Sequence, residues 1–122
     1  MLRTVLHAKI HRATITDSSL DYMGSMTIPR ELMSKLDILD GEEVLIANVN
    51  NGERWTTYAI PGDRPDGFCL NGAAARYGQP GDIVIIMVFA QMEIAEVRKH
   101  KAKVAVMSAG NRLEKIVDHA HI

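Results

Sequence analysis

The chain has 122 residues, 47% of them hydrophobic, and a formal net charge of −1 at pH 7. That describes one ordinary domain with room for one core rather than a disordered segment, and its near-neutral charge offers no basic face to nucleic acid or an anionic membrane. The single cysteine, Cys69, excludes an internal disulfide and fits a reducing, cytoplasmic compartment.

The N-terminus has no charged region followed by an apolar block, so no signal peptide is expected. Leu2 to Thr16 alternates, with Leu6, Ala8 and Ile10 on one face of a strand and Val5, His7, Lys9 and His11 on the other. Asp17-Ser18-Ser19 reads as a turn and Ser25 to Ile28 as a short extended piece. Pro29 suits the first position of a helix, where its missing N–H costs nothing, and Leu32, Met33 and Leu36 give that helix an apolar stripe. Glu43 to Val49 and Arg54 to Ile60 are strands joined at Asn50-Asn51-Gly52-Glu53, a hairpin signal because Asn-Gly accepts positive φ. Pro61 to Gly67 is a loop, Phe68 to Leu70 a short strand, and Asn71 to Tyr77 a brief helix capped by Asn71. Ile83 to Phe89 predicts a strand buried on both faces. The apolar run around it, Ile83 to Ala90, is too short to span a bilayer as a helix. Glu93 to Lys99 reads as helix, Val104 to Met107 as the last strand, and the charged segment 111–122 as a tail that is mobile or docks on a neighbour. Many short strands with Gly and Pro turns favour a closed barrel.

The pair Gly24-Ser25 carries the chemistry of greatest interest. A serine hydroxyl can attack the carbonyl of the residue before it, and glycine leaves that carbonyl unobstructed by a Cβ. If the attack is favoured, the chain cuts itself and leaves a ketone-bearing group at the new terminus. Taken alone, Gly-Ser is most often a plain turn dipeptide. No metal set is expected: His7 and His11 stand about 13 Å apart along a strand, and His7, His119 and His121 read as solvent-facing. No phosphate-cradling glycine pattern occurs. Cys69 has no activating base beside it and reads as a buried structural thiol.

Seven motifs together carry a resemblance: Arg3-Thr4, Lys9-Ile10-His11-Arg12, Tyr22-x-Gly24-Ser25, Asn48-Val49-x-Asn51-Gly52-x-Arg54, Thr57-Tyr58-Ala59-Ile60, Asn71-Gly72-Ala73-Ala74-Ala75 and Gly81-Asp82-Ile83-Val84-Ile85-Ile86. Their order and spacing resemble the aspartate 1-decarboxylases, from Met1 to about Phe89, and the resemblance fades beyond Glu93. One departure is Ala47, where related sequences carry tryptophan.

The resemblance implies a double-psi β-barrel, a homotetramer, and a precursor that cleaves between Gly24 and Ser25 into 1–24 and 25–122. It implies a covalent pyruvoyl cofactor made from Ser25, no metal, and decarboxylation of L-aspartate to β-alanine through a Schiff base for pantothenate synthesis. It makes Thr57 the oxyanion donor during cleavage and Tyr58 the proton donor in turnover. A dicarboxylate substrate needs a cation; Arg54 offers a planar fork, with Lys9 as a second candidate and His11 nearby. Backbone N–H groups of Gly72, Ala73 and Ala74 would meet the substrate, with Asn71 and Tyr22 in support. Strict alternation puts Thr57 and Tyr58 on opposite faces, so a shared site requires a bend, a bulge or a subunit boundary. Two other readings stand beside this one. Met26 to Val44 also resembles the swapped-hairpin DNA-binding regulators, although Asp37, Asp40, Glu42 and Glu43 crowd that segment against a phosphate backbone. The other is a non-catalytic barrel with its Gly24–Ser25 bond intact.

Overall fold

The computed structural model describes residues 1–121. It is mainly β. Nine strands run β1 (Leu2–Thr14), β2 (Asp17–Ser19), β3 (Ser25–Pro29), β4 (Glu43–Asn48), β5 (Arg54–Gly62), β6 (Cys69–Asn71), β7 (Ile83–Glu93), β8 (Lys101–Ser108) and β9 (Arg112–Ala120). Two short helices, α1 (Arg30–Leu36) and α2 (Ile94–Val97), and a 3-10 turn over Gly72–Arg76 interrupt them. The sheet order is β2-β6-β3-β5-β4-β7-β1-β8-β9. Most pairs are antiparallel, but β1 with β8, β2 with β6 and β3 with β5 are parallel.

Period-two patterning explains the core. Ile10, Ile86, Ile46 and Trp55 form one row across β1, β7, β4 and β5, and all four are buried. The neighbouring row, Lys9, Met87, Leu45 and Thr56, points to the other face. Phe68, Ile28, Leu70 and Val44 are fully buried as well. Pro29 occupies the N-cap of α1, Glu31 and Lys35 complement its dipole at either end, and Asp37 closes it in the left-handed conformation at φ 55°.

Four elements differ from expectation. Strand β7 is not buried on both faces: Val84, Ile86 and Val88 are fully buried, whereas Ile85 and Met87 are half-buried and Phe89 is exposed. Asp17 to Ser19 is a strand, not a turn, because main-chain pairing with Cys69 to Asn71 asks nothing of its polar side chains. Strand β8 is not the last. The charged segment after Asn111 forms β9 and docks antiparallel on β8 of its own chain, with Leu113 and Ile116 packed on the core. Asn111 ties that hairpin down, accepting from Thr14 N at 2.7 Å and donating to Thr14 O at 2.9 Å and Asp66 O at 2.8 Å. The fourth difference concerns histidine. His7 is largely buried and its ring stacks on His100 at 5.3 Å, while His121 stacks on the same ring at 5.4 Å. His119 is exposed, with its ring edge-on to His121.

Candidate active site

Strands β3 and β6 pair with Ser25 opposite Asn71 and Thr27 opposite Cys69. Ser25 and Asn71 are 2% and 4% exposed, so their polar atoms need internal partners. They supply each other. Asn71 Nδ2 donates to Ser25 Oγ at 2.9 Å and to Thr27 Oγ1 at 2.8 Å. Asn71 does occupy the N-cap position of the 3-10 turn, but its side chain makes no capping bond; the two hydroxyls of β3 take it instead. Cys69 Sγ lies 3.2 Å from Asn71 Oδ1. Burial, with Asp17 adding to it, pushes the thiol above its ordinary range and keeps it protonated. Cys69 is thus half-buried and hydrogen-bonded rather than an inert core thiol.

Gly72 follows Asn71 with φ +67°, and a Cβ there would lie 2.8 Å from Gly24 Cα and N and 2.9 Å from Tyr22 O. The backbone of Tyr22 to Gly24 therefore rests directly on Gly72, while the Tyr22 ring is exposed. A Cβ on Gly24 itself would meet nothing within 4 Å, so packing in the uncut chain does not demand glycine there. Ala73 is exposed and Ala74 buried beside it.

Strand β5 runs parallel to β3 with Met26 level with Ala59. Extending that register backward sets Ser25 level with Tyr58 and Gly24 level with Thr57. Neither pairing of β5 contains a register shift. Thr57 therefore shares the inward face with buried Trp55 and Ala59, and Tyr58 shares the outward face with Arg54. No bend or bulge separates the two. Arg54 is exposed at the start of β5, directly across from Ala47.

Lys9 and His11 lie on β1, four strands from β3 in the sheet order. Burial lowers the His11 pKa, with Lys9 and Arg12 adding to it. Among the described residues no group of three or more His, Cys, Asp or Glu side chains is arranged to hold a metal ion. Sequence reasoning passed over Thr27 and singled out Cys69 only as inert. The available signal was spacing: each lies two residues along its strand from a site residue, hence on the same face.

The aspartate decarboxylase family model matches residues 1–114, well past the point where the motif resemblance fades. An aspartate 1-decarboxylase from Shouchella clausii is 54% identical over 114 residues, covering 93% of this chain and 90% of that protein. One from Staphylococcus aureus strain JH9 is 51% identical over 112 residues, covering 91% and 88%. The chain belongs to the aspartate decarboxylase family.

Proposed function

We propose that this protein decarboxylates L-aspartate to β-alanine and carbon dioxide, supplying pantothenate and hence coenzyme A synthesis, after cutting itself between Gly24 and Ser25. The observation that carries the reading is the buried Ser25 hydroxyl, held by Asn71 beside a cradle that only glycine fits at position 72. In the cleavage, Ser25 Oγ bonds to the Gly24 carbonyl carbon and the C–N bond breaks, turning the amide into an ester. Thr57, level with Gly24, is the donor we assign to the intermediate oxyanion. Loss of the Ser25 Cα proton and cleavage of Cβ–Oγ leave Gly24 with a carboxylate and position 25 as dehydroalanine. Water then releases ammonia and leaves a pyruvoyl cap on 25–122. The residues fit that group: Gly72 and Ala74, which follow Asn71, are small and buried, so this segment brings no bulky side chain to crowd a flat keto cap.

Once formed, the cap supplies an electron sink for the bond to the departing carboxylate. The chain's own groups do the rest. Tyr58, level with Ser25 on the open face, delivers the proton. Arg54 clamps a substrate carboxylate through its fork, and backbone N–H groups of Gly72 to Ala74 meet the rest of the substrate. Lys9 and His11 enter the same site from another copy. Opposite faces for Thr57 and Tyr58, and an outward sheet face bearing Leu45, Ile85, Met87 and Phe89, support a homotetramer with sites at its boundaries. Three parallel pairs in a small sheet, each needing a crossover, support a double-psi barrel of one domain. The lone Cys69 thiol is in keeping with the cytoplasm. Nothing in the chemistry calls for a metal.

Intact mass spectrometry with a β-alanine assay tests the reading. Fragments 1–24 and 25–122, the larger trapped by hydrazine, together with β-alanine formation, are expected. A whole chain that still decarboxylates aspartate would refute the mechanism.

A further inference from the structure

One face of the β3–β6 ladder carries four polar side chains as a rectangle: Ser25 across from Asn71, and Thr27 across from Cys69. The carboxamide of Asn71 bridges the other three. Its Nδ2 donates to both hydroxyls, and its Oδ1 faces Cys69 Sγ at 3.2 Å. The other acceptor near the thiol, Leu70 O, is 3.9 Å away, so the single S–H proton goes to Asn71. A carboxamide has two ends of nearly equal shape, and the hydroxyls by themselves accept either end, since they donate as well as accept. A thiol does not treat them alike. It donates to an amide oxygen and is a poor acceptor for an amide N–H.

We propose that Thr27 and Cys69 are positioning residues for self-cleavage, locking the Asn71 carboxamide with its N–H group toward Ser25 Oγ. This rests on the self-processing reading above. The lock has two consequences. Because Ser25 Oγ accepts from Asn71, its own proton and its free lone pair point away from Asn71, leaving a lone pair for the Gly24 carbonyl carbon. In the later elimination, water takes the Ser25 Cα proton, Cβ–Oγ breaks, and the electron pair goes to Oγ, which leaves as one oxygen of the Gly24 carboxylate. The same Asn71 N–H already faces the oxygen on which that charge develops. A reversed carboxamide would present a carbonyl oxygen there and repel it.

The experiment is a time course of cleavage in freshly purified full-length chain, followed by intact mass, for the natural sequence, Thr27→Val, Cys69→Ala, Thr27→Ser and Cys69→Ser. Thr27→Val and Cys69→Ala each remove one hydrogen bond from the lock and are expected to slow cleavage about tenfold. Thr27→Ser keeps the accepting hydroxyl in place and is expected to restore the rate to within about threefold, whereas Cys69→Ser puts a hydroxyl that accepts either end where the one-way thiol stood and is expected to slow cleavage as Cys69→Ala does. Should Thr27→Val not fold, the Cys69 pair carries the test. Cleavage at the natural rate in Thr27→Val and Cys69→Ala overturns the inference alone, as does the natural rate in Cys69→Ser, or slowing in Thr27→Ser equal to that in Thr27→Val, which would point to packing. A natural chain that never cuts overturns the self-processing reading and this inference with it.

Discussion

Gly72 lies so close to Gly24 that a methyl group on it would sit 2.8 Å from both the Cα and the N of Gly24. The contact joins the residue after Asn71 to the residue whose carbonyl is attacked in the proposed cleavage, so the spacing of two segments sets the backbone beside that bond. The φ of +67° at Gly72 adds a second reason for glycine. Gly72→Ala should destabilise the uncut chain by about 1–3 kcal/mol and displace the Tyr22–Gly24 segment. Gly24→Ala, with open space around it, should change stability by no more than about 0.5 kcal/mol. Thermal unfolding in a Ser25→Ala background, where no cleavage complicates the transition, compares the two. Equal losses would mean that the close approach is not what selects glycine at 72.

Ser25→Ala should abolish cutting and β-alanine formation together, since in the proposed mechanism the hydroxyl is both the nucleophile and the source of the cap. Folding should survive. The lost bond to Asn71 costs about 1 kcal/mol, because the same Nδ2 still donates to Thr27 Oγ1 at 2.8 Å. Intact mass and a product assay on one preparation check both halves. A cut chain in this variant would place the nucleophile elsewhere.

Tyr58→Phe separates maturation from turnover. Tyr58 is 39% exposed on the outward face, so its hydroxyl carries little of the packing. The variant should cut at the normal rate and then turn over about 10²–10⁴-fold more slowly, the usual cost of losing a general acid. Single-turnover assays on fully cut protein give the comparison. Failure to cut would assign the phenol to maturation.

Much of this arrangement is legible in the residues. The Asn-Gly hairpin between β4 and β5 and Pro29 ahead of α1 each follow a local rule, and the structure keeps both. Alternation in β1 is broken by two register shifts: Leu6 pairs with exposed Phe89 and Ala8 with buried Val88, so the two do not share a face. Strand β9 does not announce itself, for a physical reason. A register shift between Val106 and Met107 puts Leu113 and Ile116 on the core three residues apart, a spacing that does not read as period two. Strand β2 is three polar residues whose pairing is wholly main-chain. At the site, the motif residues were readable, but Asn71 looked like a helix cap because a cap and a cross-strand donor want the same side chain. Cys69 looked inert although its partner lies two residues along its own strand; the two hydroxyls that complete the group, Ser25 and Thr27, come alongside only when β6 pairs with β3.

The histidine stack gives stability a pH dependence of known sign. Burial pushes His100 below its ordinary value of 6.5, His7 and His121 push it further, and Glu96 pulls the other way. Asp37 also faces His7: the His7 ring nitrogen Nε2 is 2.9 Å from Asp37 O and 3.7 Å from its carboxylate. With a folded pKa below the unfolded one, the unfolded chain takes up the proton first as pH falls. The contribution is therefore complete above 6.5 and is lost progressively below it, as pH approaches the lowered folded value. His11, also lowered, acts in the same direction. The Tm of the uncut Ser25→Ala chain should fall as pH drops from about 7 to about 5, ahead of the range in which exposed carboxylates titrate. His100→Phe keeps a ring to stack between His7 and His121 but cannot take a proton, so its Tm should fall less steeply over the same interval. The slope that remains belongs to His11 and should flatten further in the double variant with His11→Gln. A slope unchanged by His100→Phe would remove the stack as its source.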